Sequence, residues 1–251
     1  MQSLRSSNLQ AGFTLVELSI VLVIIGLIVA SVLVGQDLVR QAELRSTVSQ
    51  YEQYQAAVAT FRGKYNGLPG DVAGETNFAF SCATGTADGD GDGVLDDTAQ
   101  GQALQSGELV FFWCHLGAAG AGMISGSYAG NVVTSADINS QTPRAKAGNN
   151  WGVFSTSGVN YYIIGAGLSS AGNNFTTLDT LSPLDAYNID TKVDDGQPNR
   201  GVARAHGPAA NDPDANPATG AGGCVDATTA DGVYQTTVGS LACTLSIKMI
   251  L

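Results

Sequence analysis

Residues 12–36 read GFTLVELSIVLVIIGLIVASVLVGQ, and this stretch decides the architecture. After Glu17 the next charge is Asp37, so residues 18–36 are uncharged. Leu18 to Val34 is nearly all apolar. As a helix rising about 1.5 Å per residue, it nearly crosses a hydrocarbon core of about 30 Å. Ahead of it lie residues 1–12, MQSLRSSNLQAG, short and polar, with Arg5 as the one basic residue.

Three readings compete for this arrangement. A secretory signal peptide has a shorter apolar region, about 7–15 residues, followed by a small-x-small cleavage site. Here the run is longer and no Ala-x-Ala site follows it. A plain membrane anchor explains the length but not Glu17. A carboxylate there costs on the order of several kcal/mol and is a functional candidate by default. The third reading explains both features. A peptidase cuts on the polar side, between Gly12 and Phe13, and the apolar helix stays in the mature chain. The new Phe13 amine is then a cation, which Glu17 of a neighbouring subunit can pair with, partly offsetting the desolvation of both.

Gly12-Phe13-Thr14-Leu15-Val16-Glu17 followed by about 20 apolar residues resembles the cleavage and methylation signature of type IV prepilins and type II secretion pseudopilins. One departure is Ala11, where many members carry Lys or Arg. The resemblance implies a prepilin peptidase that cuts after Gly12 and N-methylates Phe13. It also implies Glu17 as an assembly residue, insertion in the inner membrane before assembly, and self-assembly into a helical filament with other pilins.

The helical pattern continues past the apolar run. Leu44, Val48, Tyr51, Tyr54, Val58, Phe61 and Tyr65 recur every three or four residues and make one stripe for packing on a core. Gly63, Gly67 and Pro69 end it. From Phe13 to Tyr65 such a helix is about 80 Å long, with Gly26 and Gly35 as its weak points. Four regions follow: a leader at 1–12, a membrane and filament-core helix at 13–36, an amphipathic continuation at 37–65, and a globular head at 66–251.

The head is loop-rich. Residues 107–120, GELVFFWCHLGAAG, predict a short helix. WGVFS (151–155) and VNYYIIG (159–165) predict a hairpin turning at Thr156, Ser157 and Gly158. Ser182 to Val193 predicts a helix with Ser182 as N-cap and Pro183 first. Arg200 to Ala205 reads as a strand, 207–223 as a loop, and Gln235 to Leu251 as one or two strands. A long helix on a small antiparallel sheet is α+β, and with the N-terminal signature it is type IV pilin-like. Leu68-Pro69-Gly70-Asp71, the Gly/Asp run, Glu108 with Trp113 to Leu116, and Ile189 to Gly196 also resemble a subgroup of proteobacterial prepilin-like proteins.

The four cysteines are Cys82, Cys114, Cys224 and Cys243, and none forms a CxxC pair, which argues against a zinc site of the usual spacing. In an exported chain they read as two disulfides with three possible pairings. The pairs nearest in sequence are Cys82–Cys114 and Cys224–Cys243; buried free thiols are the alternative. The resemblance implies a C-terminal disulfide loop at the filament surface.

Asp88-Gly89-Asp90-Gly91-Asp92-Gly93-Val94-Leu95-Asp96-Asp97 is the richest chemical constellation. Asp at alternate positions followed by Gly is the first half of an EF-hand-like loop. Asp88, Asp90 and Asp92 supply carboxylates, Val94 a carbonyl, and Asp96 or Asp97 a further ligand. The expected ion is Ca²⁺. The twelfth position is Ala99 rather than Glu, so a bidentate ligand must come from Asp97, Glu108 or elsewhere. The alternative is a solvated acidic turn. A second cluster, Asp190, Asp194 and Asp195 beside Lys192, reads as structural.

Lys plus Arg number 11 and Asp plus Glu 22, a net charge of −11 with no basic run, which argues against nucleic acid as a partner. Only His115 and His206 are histidines: the first sits in an apolar helix, the second in a Gly/Pro loop. No GxSxG, Walker, GxGxxG or HExxH motif occurs, so an enzyme is not expected. The expected function is a structural subunit of a type IV pilus, major or minor. The same N-terminal physics serves a pseudopilin of a type II secretion system. A reading of another class is a ligand- or surface-binding adhesin module at a pilus tip. The expected location is the inner membrane of a Gram-negative bacterium with the head in the periplasm, then the extracellular pilus or periplasmic pseudopilus.

Overall fold

The computed structural model describes residues 12–73, 78, 80–82, 89–95, 108–128, 130, 141–168, 175–177, 180–206, 223–226 and 232–250. It divides into two compact units, Met1–Ala42 and Glu43–Leu251.

Helix α1 runs Leu15–Tyr65. In the first unit every residue from Phe13 to Val34 is exposed. Among the described residues this is the one helix long and apolar enough to cross a membrane, with a mean hydropathy of 3.0 over its best window. In the second unit the same helix carries the expected stripe. Leu44, Tyr51, Tyr54, Val58 and Phe61 are buried, and Val48 and Tyr65 pack partly against the core. Thr47 and Ala57 join the buried face. Thr47 was not expected there, because its polarity hides it in a periodicity count. Its hydroxyl returns to the Glu43 carbonyl at 2.9 Å and accepts the Ala147 N–H at 2.8 Å, so no polar group is stranded.

Helix α2, Glu108–Leu116, is apolar around nearly its whole girth, as a helix enclosed on all sides must be. It stops four residues short of the expected Gly120. The chain turns at Gly117, and N–H groups of Ala121, Met123 and Ile124 return to the last carbonyls of the helix, at His115 and Leu116. A Cβ at Gly120 would lie 2.4 Å from the His115 oxygen, so the turn needs glycine there.

Strands β1 (Asn150–Thr156) and β2 (Val159–Leu168) form the expected hairpin. Ser157 (φ 50) and Gly158 (φ 73) make the two-residue turn with both residues left-handed, which matches the twist of the strands. Residues 151–154 and 160–165 are buried without alternation, so both faces of the hairpin are covered. Strand β3, Phe175–Thr177, pairs with the end of β2. Helix α3, Pro183–Val193, starts as expected: the Ser182 hydroxyl accepts the Asp185 N–H at 3.2 Å, with Pro183 first.

Strand β4 is Ala203–His206, later than the expected Arg200 start because residues 198–202 form turns. Short strands β5 (Val225–Asp226) and β6 (Val233–Tyr234) pair as a separate ribbon, which the sequence does not signal. The last segment yields one strand, β7 (Thr244–Lys248). It lies between β2 and β4, so the sheet order is β1-β2-β7-β4, antiparallel throughout. The result is α+β: a long N-terminal helix and a small antiparallel sheet. The 207–222 part of the expected loop lies outside the described residues.

Aromatic packing joins α1, α2 and the hairpin. Tyr54 meets Trp113 edge-on at 5.0 Å and Trp151 at 5.5 Å between ring centroids. Gln50 of α1 is a clamp: it donates to the Arg144 carbonyl at 3.0 Å and accepts from Lys146 N–H at 3.1 Å.

Candidate functional site

The N-terminal locus is built from four residues, Gly12, Phe13, Thr14 and Glu17. Gly12 and Phe13 precede the helix, and Thr14 caps it. The Glu17 Oε2 accepts the Thr14 N–H at 2.9 Å and the Thr14 hydroxyl at 2.8 Å. The Glu17 N–H returns to the Thr14 Oγ at 3.3 Å. This is a capping box, Thr-x-x-Glu, which satisfies orphan donors of the first turn. It explains why the helix begins at Leu15 and leaves the Gly12–Phe13 bond outside it.

The second locus gathers three segments distant in sequence. Asp71 ends the Leu68-Pro69-Gly70-Asp71 turn and is buried. Its Oδ1 accepts the Gly91 N–H at 2.8 Å and its Oδ2 the Gly93 N–H at 2.9 Å. Glu108, buried at the start of α2, accepts the Asp90 N–H at 3.1 Å. Asp90 and Asp92 each accept the N–H two residues on, from Asp92 at 3.0 Å and Val94 at 2.7 Å. Asn160 of β2 holds the loop from below, accepting from Leu95 N–H at 2.8 Å and donating to the Gly93 carbonyl at 2.9 Å.

Oxygen atoms of Asp71, Asp90 and Glu108 lie within 4.8 Å of one another. Burial pushes the Asp71 carboxyl up, the Gly93 and Gly91 N–H groups oppose this, and Asp92 and Asp90 reinforce it. Of the sequence candidates, Asp90 belongs to this group, while Asp92 and Val94 sit on the same loop outside it. Asp88, Asp96 and Asp97 lie outside the described residues. Glu108 takes part, as one of the sequence options. Asp71 was missed as a carboxylate partner: it precedes the run by 17 residues or more, and only the turn at Gly70 brings it back.

A second group, Asp190, Asp194 and Asp195, also brings carboxylate oxygens within 4.8 Å. Asp190 accepts from Tyr234 O–H at 2.8 Å and Gly196 N–H at 3.2 Å. Asp194 accepts the Val202 N–H, and Asp195 accepts the Gln197 N–H at 2.8 Å and pairs with Arg200 at 3.6 Å. Lys192 turns instead to the Asn188 carbonyl at 3.0 Å. These bonds fasten the α3 exit to β4 and β6.

Cys82 is bonded to Cys114 and Cys224 to Cys243, with Cα separations of 5.9 and 4.9 Å. His115 stacks on Phe61 at 6.0 Å and accepts the Gly70 N–H on Nδ1 at 2.9 Å. It is a packed residue that also holds a turn. His206 lies at the end of β4 rather than in a loop, and its Nε2 meets Ser246 Oγ of β7, both buried inside the sheet. That contact crosses 40 residues and leaves no trace in local sequence.

Residues 7–33 match the model of the prokaryotic N-terminal methylation motif, so the chain carries the prepilin-type signature. A search of the curated proteins finds no match to the chain. The motif supports a protein of the type IV pilin or pseudopilin kind, and a long N-terminal helix with a small antiparallel sheet is consistent with it. The motif implies cleavage by a prepilin peptidase and assembly with other pilins, and the exposed apolar helix agrees with anchoring in a membrane before assembly.

Proposed function

We propose that this chain is a structural subunit of a type IV pilus, cut after Gly12, N-methylated on Phe13 and assembled through its N-terminal helix. The observation that carries the reading is a single acid, Glu17, at the head of an apolar helical run exposed from Phe13 to Val34. Such a run needs lipid or other copies of itself around it. Before assembly it sits in the inner membrane with the head in the periplasm; afterwards it lies in the filament core. A pseudopilin of a secretion piston uses the same helix, and an adhesin module at a pilus tip would add a ligand to the head.

Mass spectrometry of sheared surface filaments tests the reading. Abundant peptide beginning at methylated Phe13 is the expected result. Peptide confined to envelope fractions favours the pseudopilin, and a mature end other than Phe13 overturns the cleavage assignment. A deletion that keeps filaments but abolishes adhesion favours the tip module.

We also propose Ca²⁺ as the ion of the aspartate loop, held by Asp71, Asp90 and Glu108. Three carboxylates so close supply hard oxygen donors, which suit this cation.

A further inference from the structure

Directly after α1 comes Asn66-Gly67, the one Asn-Gly pair in the chain. The Asn66 N–H closes on the Arg62 carbonyl at 2.9 Å, and Asn66 itself is left-handed, with φ 57. Asn enters that conformation more readily than most residues with a side chain, so it ends a helix well. Asn66 is exposed and Gly67 partly exposed. Among the described residues, neither the Asn66 side-chain amide nor the Gly67 N–H has a hydrogen-bond partner. Helix termination accounts for Asn at 66, but it does not remove the chemistry that the pair carries.

We propose that Asn66 is a site of spontaneous deamidation, with the Gly67 nitrogen as the attacking group and water as the co-reactant. Hydroxide takes the Gly67 N–H proton. The nitrogen then bonds to Asn66 Cγ, the Cγ–Nδ2 bond breaks, and the side-chain nitrogen leaves as ammonia. The product is a cyclic imide. Water opens it at Cγ to give Asp, or at the backbone carbonyl carbon to give isoaspartate. Nothing is oxidised or reduced: water enters and ammonia leaves. Gly67 has no Cβ to shield its nitrogen. The exposure of Asn66 admits hydroxide and water.

The position makes the change costly. Leu68, Pro69 and Gly70 follow at once and are buried. Isoaspartate lengthens the main chain by a methylene just before them. Asp keeps the main chain but puts a negative charge at the C-terminus of α1, against the helix dipole. Arg62 and Lys64 in the last turn offset part of that charge. Either product loosens the joint between α1 and the buried turn.

The test ages the full-length protein, purified in detergent, at neutral and at mildly alkaline pH. Peptides are released under mildly acidic conditions, which suppress the reaction, and are read by mass spectrometry. Two variants isolate the chemistry. Asn66→Gly keeps the left-handed helix end and removes the reacting amide. Gly67→Ala hinders the nitrogen. Its Cβ would lie 3.1 Å from Val72 Cγ2, a contact that asks only a small shift. A third, Asn66→Asp, stands for one product.

Residue 66 should lose its amide before any other asparagine does, and faster at the higher pH. Gly67→Ala should slow that loss. Asn66→Asp should lower the folded-to-unfolded ratio in urea by roughly two- to five-fold, the size of a charge opposed to a helix dipole. The aged parent should move towards it, while aged Asn66→Gly keeps its midpoint. An intact Asn66 after ageing, or another asparagine converting first, overturns the proposal. Gly67→Ala converting at the parental rate overturns Gly67 as the attacking group.

Discussion

Asp190 is fully buried, and two donors hold its carboxylate, the Tyr234 hydroxyl and the Gly196 N–H. Burial raises its pKa from the ordinary 3.8 to about 6; Asp195 and Asp194 add to the rise, and its two donors oppose it. The folded state therefore holds this proton more tightly than the unfolded chain does. Between the two values the native state binds more protons, so stability falls as pH rises from 3.8 through about 6 and stays at the lower level above. Urea melts across that window should show the fall in the parent and lose that component in Asp190→Asn. Equal pH profiles for the two would show that Asp190 does not titrate there. The sequence marks Asp190 as one acid among three. Its partner Tyr234 lies 44 residues away, so the perturbation itself is tertiary.

At the scale of elements, the turn at Leu68–Asp71 and helix α2 are built against each other. Gly70 has φ +91, and a Cβ there would stand 2.2 Å from the Glu108 carbonyl oxygen. Its N–H meets His115 on the same helix. Gly70→Ala meets both the left-handed strain and the clash, and should lose at least about 2 kcal/mol in chemical denaturation. Gly63 is the contrast: it lies in α1, a Cβ added there would have nothing within 4 Å, and its φ is not positive. Gly63→Ala should gain roughly 0.5 kcal/mol from helix propensity. The glycine of Leu-Pro-Gly-Asp is visible as a turn in the sequence. Its necessity comes from a helix almost 40 residues later.

For the whole molecule, the exposed apolar run and the core fall in different units. The buried residues described, from Leu44 onward, lie in the unit Glu43–Leu251, whereas the exposed apolar run belongs to Met1–Ala42. A soluble head beginning at Glu43 keeps the core and both disulfides. With a net charge of −11 in the full chain and three carboxylates gathered at the aspartate loop, this head should melt higher in millimolar Ca²⁺ than in EDTA. Asp71→Asn should shrink the difference. Coincident melting curves would remove Ca²⁺ from the description of the loop.

The N-terminal element and the local units of the head are legible along the chain. An uncharged apolar run behind a single acid, a three-to-four stripe, a Ser-Gly turn between β-rich runs and a Ser-Pro helix start all act through residues within a turn or two. Their physics is local, so it can be read along the chain. The tertiary structure alone decided that β7 enters between β2 and β4, that Asp71 closes the aspartate loop with Glu108, that Gln50 clamps the 144–146 segment, and that His206 meets Ser246. Each of these joins groups 18 or more residues apart, where the chain pattern carries no distance and only the packed core sets which groups meet.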